Sequence, residues 1–374
     1  MAELFTAGCI GSACVQKGYL NTIMVQSLSK TCFSILLPMF LGTSIMNTVK
    51  KYGLNISSIS VPLIAIVHCL TLYTISRFLL LPVFGIDGDS VEGRATNVCC
   101  AFGNAGTVPL IFVEALFRNG NSDVLQKAFS LVSLYLLGWS PLFWSFGRNA
   151  LLGSQMVSTE IATRTGVEPK GDDATMIIPR RKRISYFTSL FPPPVMGVCL
   201  GLLASIPFLN ALIMKSTPDS KVPFAVVFNC CQNLGRAANP VALLVLTSSL
   251  ALGNVKQQTS QEQGELEIPL LKRWACVSIA RFILSPLLMV TLLEYLYKMG
   301  LIGPMNGSDA MLWFILILQS SMPCAQNSVL MLQVAEKPVE ASRLARFLFT
   351  IYATAMVPVV LVSTILLERC NFTV

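Results

Sequence analysis

Charge is what this chain has least of. Only 12% of its 374 residues are Asp, Glu, Lys or Arg, against roughly a quarter in an ordinary globular domain. A chain so poor in charge cannot clothe a folded surface in water, which excludes a set of soluble domains. Histidine is scarcer still: His68 stands alone, so no HExxH motif can be assembled, and no Cys/His metal spacing appears. There is no Walker A sequence, which excludes nucleotide-driven work by this chain alone. No GxSxG or paired-carboxylate pattern supports a hydrolase. An enzyme, a cofactor and a bound metal are therefore not expected. The 12 cysteines are plentiful by contrast, yet no CxxC occurs among them. Cys32, Cys69, Cys199 and Cys276 lie inside apolar runs, where a small thiol packs well. The adjacent pairs Cys99–Cys100 and Cys230–Cys231 read as helix packing rather than redox chemistry.

Apolar residues are what the chain has in excess, at 53% with a mean hydropathy of +0.65. Such a chain needs lipid as its solvent. The net charge of +8 comes from basic residues gathered between apolar runs, a pattern that fits control of membrane topology better than nucleic-acid binding. A spanning helix needs roughly 20 mostly apolar residues. Such stretches are predicted at 3–16, 25–47, 57–83, 94–117, 126–147, 187–213, 223–251, 270–297, 310–334 and 344–367. The expected fold is an all-α membrane protein with about ten transmembrane helices. The first stretch is too short to cross comfortably and lacks the basic start and cleavage site of a signal peptide. It is expected to be a short tilted helix or what remains of a longer one. The seventh is unusually polar in its first half, with Gln232, Asn233, Arg236 and Asn239.

A long polar segment, 150–186, contains Gly171-Asp172-Asp173 and the basic run Arg180-Arg181-Lys182-Arg183. It is expected to be a cytosolic loop dividing a first five-helix repeat (1–149) from a second (187–374). Lys256 to Glu267 reads as a further loop on the same side. The halves resemble each other: Ile75-Ser76-Arg77-Phe78-Leu79-Leu80-Leu81-Pro82 aligns with Ile279-Ala280-Arg281-Phe282-Ile283-Leu284-Ser285-Pro286. Pro38 answers Pro240, and Pro109 answers Pro323. Because five is odd, the second copy enters the bilayer from the opposite side, and inverted repeats of this kind are typical of secondary transporters. With 150–186 cytosolic, that side carries about twice the Lys and Arg of the other, the sign expected of cytoplasmic loops. The Asn-x-Ser/Thr sequons at Asn55, Asn306 and Asn371 all fall on the opposite side.

In lipid a break in a spanning helix is costly unless it lines a cavity. The fourth stretch contains Gly103-Asn104-Ala105-Gly106-Thr107-Val108-Pro109-Leu110, and the ninth contains Gln319-Ser320-Ser321-Met322-Pro323-Cys324-Ala325-Gln326-Asn327. Each sets a proline among small and amide residues near its middle. Half-helix N-termini behind such breaks offer free N–H groups and a positive dipole end, which suit a carboxylate. Gly103, Asn104, Thr107, Pro109, Gln319, Ser320, Pro323, Gln326 and Asn327 are the candidate substrate-binding residues. Charges inside the membrane are costly and need a reason. Arg77 and Arg281 could hold the broken helices, pair with Glu114, or snorkel to an interface. Glu114 could titrate or serve as a structural partner. His68 could relay protons or simply be packed and hydrogen-bonded.

These two broken stretches resemble the auxin efflux carrier superfamily, and the PIN-LIKES carriers within it. Gly103 to Leu110 is similar to that family's Gly-Asn-x-Gly-Asn-x-Pro-Leu element, with Thr107 in place of the second Asn. Met322 to Asn327 is similar to its Met-Pro-Pro-Ala-x-Asn, with Cys324 in place of the second Pro. Leu37-Pro38 and Phe191-Pro192-Pro193-Pro194 also agree. The resemblance implies an elevator-type carrier with a scaffold and a moving transport domain, and a substrate site where the broken helices cross. Auxin or a related organic anion would be its cargo, and the short central loop favours the endoplasmic reticulum membrane over the plasma membrane. A small organic anion, the bilayer and a second copy in a homodimer are the partners expected. A sodium-coupled acid symporter of the same architecture and a non-transporting receptor are the other readings the sequence leaves open.

Overall fold

The computed structural model describes residues 2–53, 56–117, 122–153, 191–214, 222–257 and 269–372. The segments expected to be loops, 150–186 and 256–267, lie almost wholly outside these residues. Apolar chain segments satisfy their backbone groups by internal hydrogen bonds when water is absent, and a helix does so within one segment. Among the described residues the chain is helical, with one isolated antiparallel bridge and no strand.

In chain order the helices are α1 (Ala2–Gln16), α2 (Thr22–Lys50) and α3 (Ser60–Val83), then α4 (Val91–Ala101) and α5 (Thr107–Phe117). There follow α6 (Asp123–Leu152), α7 (Pro193–Ala204), α8 (Pro207–Ile213) and α9 (Ala225–Leu252). The chain ends with α10 (Leu270–Lys298), α11 (Ala310–Ser320), α12 (Asn327–Val334) and α13 (Pro338–Arg369). Six of these, α2, α3, α6, α9, α10 and α13, are long and apolar enough to cross a membrane. The shortest, α3, has 24 residues, about 36 Å at 1.5 Å per residue, against a hydrocarbon core of about 30 Å.

The predicted sixth span, 187–213, is not one straight helix. Its described part forms α7 and α8, which meet at 100°. Pro207 forces this: the ring clashes with a helical residue before it, and Ile206 takes φ −57° and ψ 133°. The predicted fourth and ninth spans are likewise two helices each, α4 with α5 and α11 with α12, as their breakers require.

Four wide π turns interrupt the long helices: Cys32–Leu36, Ser76–Leu80, Phe143–Gly147 and Ala280–Leu284. Three of them end one residue before Leu37-Pro38, Leu81-Pro82 and Ser285-Pro286. A proline within a helix has no N–H to give and its ring presses on the carbonyl four residues back. Adding a residue to the preceding turn relieves that contact, so the amides of Leu37, Leu81 and Ser285 bond five residues back, to Cys32, Ser76 and Ala280. The matched octapeptides of the two halves thus fold alike, with Arg77 and Arg281 each second in its π turn.

Large apolar side chains such as Leu63, Val67, Phe78 and Val83 on α3, or Val357, Val360 and Leu361 on α13, are exposed. In water so much bare apolar surface would drive aggregation; in lipid it is the ordinary outer face. Inside, α2 packs on α7 and α9, and α1 on α9. The α2–α7 seam is made by Gly197-x-x-x-Gly201, against which the backbone of Pro38 and Gly42 lies. A methyl group at Gly197 would sit 2.4 Å from the Pro38 backbone, the close approach that paired small residues permit. A second group forms where α6 receives α3, α5 and α11, α10 packs on α11, and α12 packs on α13.

Candidate functional site

The breaks in α4–α5 and α11–α12 meet. Helix α4 stops at Ala101, Phe102 is extended (φ −109°, ψ 105°), and α11 stops before Pro323, which cannot continue it. The freed backbone groups then satisfy one another across the crossing. The Asn104 amide donates to the Pro323 carbonyl at 2.6 Å, and the Ala325 amide donates to the Phe102 carbonyl at 2.9 Å. Gly103 and Cys324 face each other in the single antiparallel bridge. Two half-helices therefore end here and two begin. The ending pair, α4 and α11, present carbonyls and a negative dipole end; the beginning pair, α5 and α12, present the positive end.

Arg281 of α10 answers the negative ends. It is 1% exposed, and its Nε donates to the Met322 carbonyl at 2.9 Å and its Nη2 to the Ser320 carbonyl at 3.0 Å. Its Nη1 reaches the Cys100 carbonyl at 3.5 Å. The guanidinium passes so close to Gly103 that a Cβ there would lie 2.1 Å from Nη2. Ser285 adds a bond from Oγ to the Ser320 carbonyl at 2.7 Å, and the Nε2 of buried His68 lies 3.2 Å from that hydroxyl. His68 is thus packed and bonded, and its Nδ1 has no partner among the described residues.

Asn104, buried, donates from Nδ2 to the Tyr352 hydroxyl at 2.8 Å, and that hydroxyl donates to the Cys324 carbonyl at 2.8 Å. Gln319 donates from Nε2 to the Ala105 carbonyl at 3.0 Å. On the two half-helices α11 and α12 at the crossing, buried Gln319 Oε1, Asn327 Oδ1 and Ser328 Oγ have no partner among the described residues. Pro109, Ser320, Pro323 and Gln326 are buried around them. Thr107 opens α5; its side chain lies outside the described residues.

The intramembrane charges separate. Arg77 turns away from the crossing and pairs with Asp89 at 2.6 Å. Glu114 is exposed on α5, so pairing of either arginine with it is corrected: Arg281 holds the broken helices, and Arg77 meets the α3–α4 loop. Three contributors were not among the residues the sequence singled out. Tyr352 is one tyrosine in an apolar helix, and Ser285 one serine beside a proline, so neither carries a signal. Arg273 is buried and donates to Thr96 Oγ1 at 3.0 Å, lies 3.6 Å from Glu92, and stacks 4.6 Å from the centre of the Phe347 ring. Its place beside Trp274 in an apolar run is the signal that could have found it.

Comparison with known proteins places these features in a family. Residues 1–363 match the family described as membrane transport protein. Protein PIN-LIKES 1 of Arabidopsis thaliana is 23% identical over 335 residues, covering 83% of this chain and 66% of that protein. Protein PIN-LIKES 4 of the same plant is 23% identical over 281 residues, covering 61% and 64%. The chain therefore spans somewhat under two thirds of the length of these relatives.

Proposed function

We propose, from the premise that this chain belongs to the membrane transport protein family of the auxin efflux carrier type, that it is a secondary carrier of a small organic anion. It is an integral, multi-pass membrane protein. In this reading about ten spanning segments form two inverted halves, 1–149 and 187–374, joined by a cytosolic segment. The anion binds at the crossing and is released on the other side when one group of helices slides past the other. Indole-3-acetic acid or a related carboxylate is the first cargo to try, the endoplasmic reticulum the first membrane, and a homodimer the first assembly.

The observation that carries the reading is the crossing itself: four half-helix ends brought to one buried place, with amide side chains around it. A carboxylate gains from the N-termini of α5 and α12, and the unpartnered oxygens of Gln319 and Asn327 suit a donor such as an indole N–H. Those same oxygens favour one second reading, a sodium-coupled symporter, since buried oxygens also suit a hard cation. Against it, Arg281 already places a fixed positive charge on the carbonyls of Ser320 and Met322.

The test is uptake of radiolabelled indole-3-acetic acid into proteoliposomes, with and without a sodium gradient, for the native chain, Asn104→Ala and Asn327→Ala. Saturable uptake that ignores sodium and is lost in both variants supports the carrier. Uptake that needs sodium selects the symporter. No uptake above empty liposomes removes auxin as cargo.

A further inference from the structure

Away from the crossing, a cavity of about 440 Å³ opens where the end of α3, the α3–α4 loop, α4 and the end of α6 come together. Its walls are polar, and two guanidiniums, Arg77 and Arg94, face it. Each is fixed by few contacts. Arg77 spends Nη2 on Asp89 Oδ1, whose side chain is 86% exposed. Arg94 reaches the Leu151 carbonyl through Nε at 3.5 Å and the Asp89 carbonyl through Nη1. Between them Asn97, 2% exposed, lines the same wall. Its Oδ1 takes the Ser76 hydroxyl, which leaves its amide hydrogens for whatever fills the cavity. Asn149 adds a further amide.

We propose that this cavity is a second anion site, built for a phosphate group and separate from the carrier site. Two arginine side chains carrying spare N–H donors, with a buried amide beside them, make the fork geometry that phosphate oxygens take. Among the described residues that line the cavity Asp89 is the only acidic one, so together these side chains hold a net positive charge. An ion pair as exposed as Arg77–Asp89 is worth little and gives way to a dianion. The phosphate could come from two sources, a dissolved phosphate compound or the headgroup of an anionic lipid. The exposed Phe78, Leu79 and Val83 beside Arg77 put the second within reach. The proposal does not rest on the cargo or the mechanism proposed above.

The test uses the full chain purified in detergent, with Arg77→Gln, Arg94→Gln and the charge-keeping Arg94→Lys, and Arg236→Gln as an exposed control. Binding of inorganic phosphate is read by calorimetry. Retention of phosphatidylglycerol over phosphatidylcholine is read by native mass spectrometry after reconstitution and extraction. The expected result is that one of the two ligands binds the native chain and that Arg94→Gln weakens it about tenfold, Arg94→Lys less, and Arg236→Gln not at all. Phosphate binding with this pattern names a soluble ligand; selective retention of phosphatidylglycerol with this pattern names a lipid. Binding of neither, or binding that Arg77→Gln and Arg94→Gln leave unchanged, overturns the site. Should Arg94→Gln fail to fold, Arg77→Gln alone decides, because its partner is exposed and its loss is tolerable.

Discussion

Replacing Arg281 should be the most damaging single change in this molecule. Its guanidinium bonds three buried carbonyls that water cannot reach, and each buried acceptor left bare costs about 1–3 kcal/mol. Arg281→Gln is expected to lower the melting temperature of the purified protein and abolish uptake. Arg281→Lys, which keeps the charge but loses the fork, should retain part of both. Tyr352→Phe removes one hydroxyl that serves Asn104 and Cys324 together. It should cost about 1–3 kcal/mol, readable as a lower denaturation midpoint, and raise the KM of whatever is carried more than it lowers kcat. At this scale the sequence spoke clearly of Asn104, Pro109, Pro323 and Asn327, because breakers beside amides are rare in a spanning helix. It said nothing of Tyr352, because a tyrosine in an apolar run reads as packing until the partner 248 residues away is known. Arg281 was legible as a costly charge, but its role was not. Three readings were open until the carbonyls of α4 and α11 were seen to converge on it.

The elements show what a hydropathy pattern can and cannot carry. Apolar runs located the long helices α2, α3, α6, α9, α10 and α13, since length and composition are properties of the sequence itself. They merged α7 with α8 into one span, because averaging over a window hides a single Pro207 whose effect falls on the residue before it. The repeated octapeptide was visible, whereas the π turn it folds into was not, since that depends on how the helix relieves the proline ring. That turn sets the direction of Arg281: one extra residue rotates everything on one side of it by about 100° relative to an unbroken α-helix. Pro286→Ala restores the missing amide and lets the turn close to ordinary α geometry. The expected outcome is a lower melting temperature together with severely reduced uptake, because Arg281 no longer points at the Ser320 and Met322 carbonyls and leaves them bare. Unchanged uptake would mean that the turn persists without its proline.

For the whole molecule the question is which helices move together. One group holds α1, α2, α7 and α9, and the other holds α3 to α6 with α10 to α13, which includes the entire crossing. The groups touch where α9 meets α12 and α13, where α2 meets α6 and α12, and where α7 meets α6, and an ion pair reaches from Lys30 of α2 to Glu336, in the turn between α12 and α13, at 2.7 Å. Lys30 holds the Glu336 carboxyl below its ordinary range. A depressed carboxyl adds its stabilisation above its unfolded value and loses it as the pH falls through the folded one, so acid should loosen this contact. If the second group slides against the first, the contact must break in every cycle. A Lys30→Cys/Glu336→Cys chain gives a direct check, with each single cysteine variant beside it to account for the native thiols. Oxidation of the double variant should stop uptake and a reductant should restore it, while the single variants stay active under both conditions. Uptake that continues through a cross-link confirmed by mass spectrometry would mean that α2 travels with α12 and α13, and the boundary between the fixed and moving groups would have to be redrawn through α9.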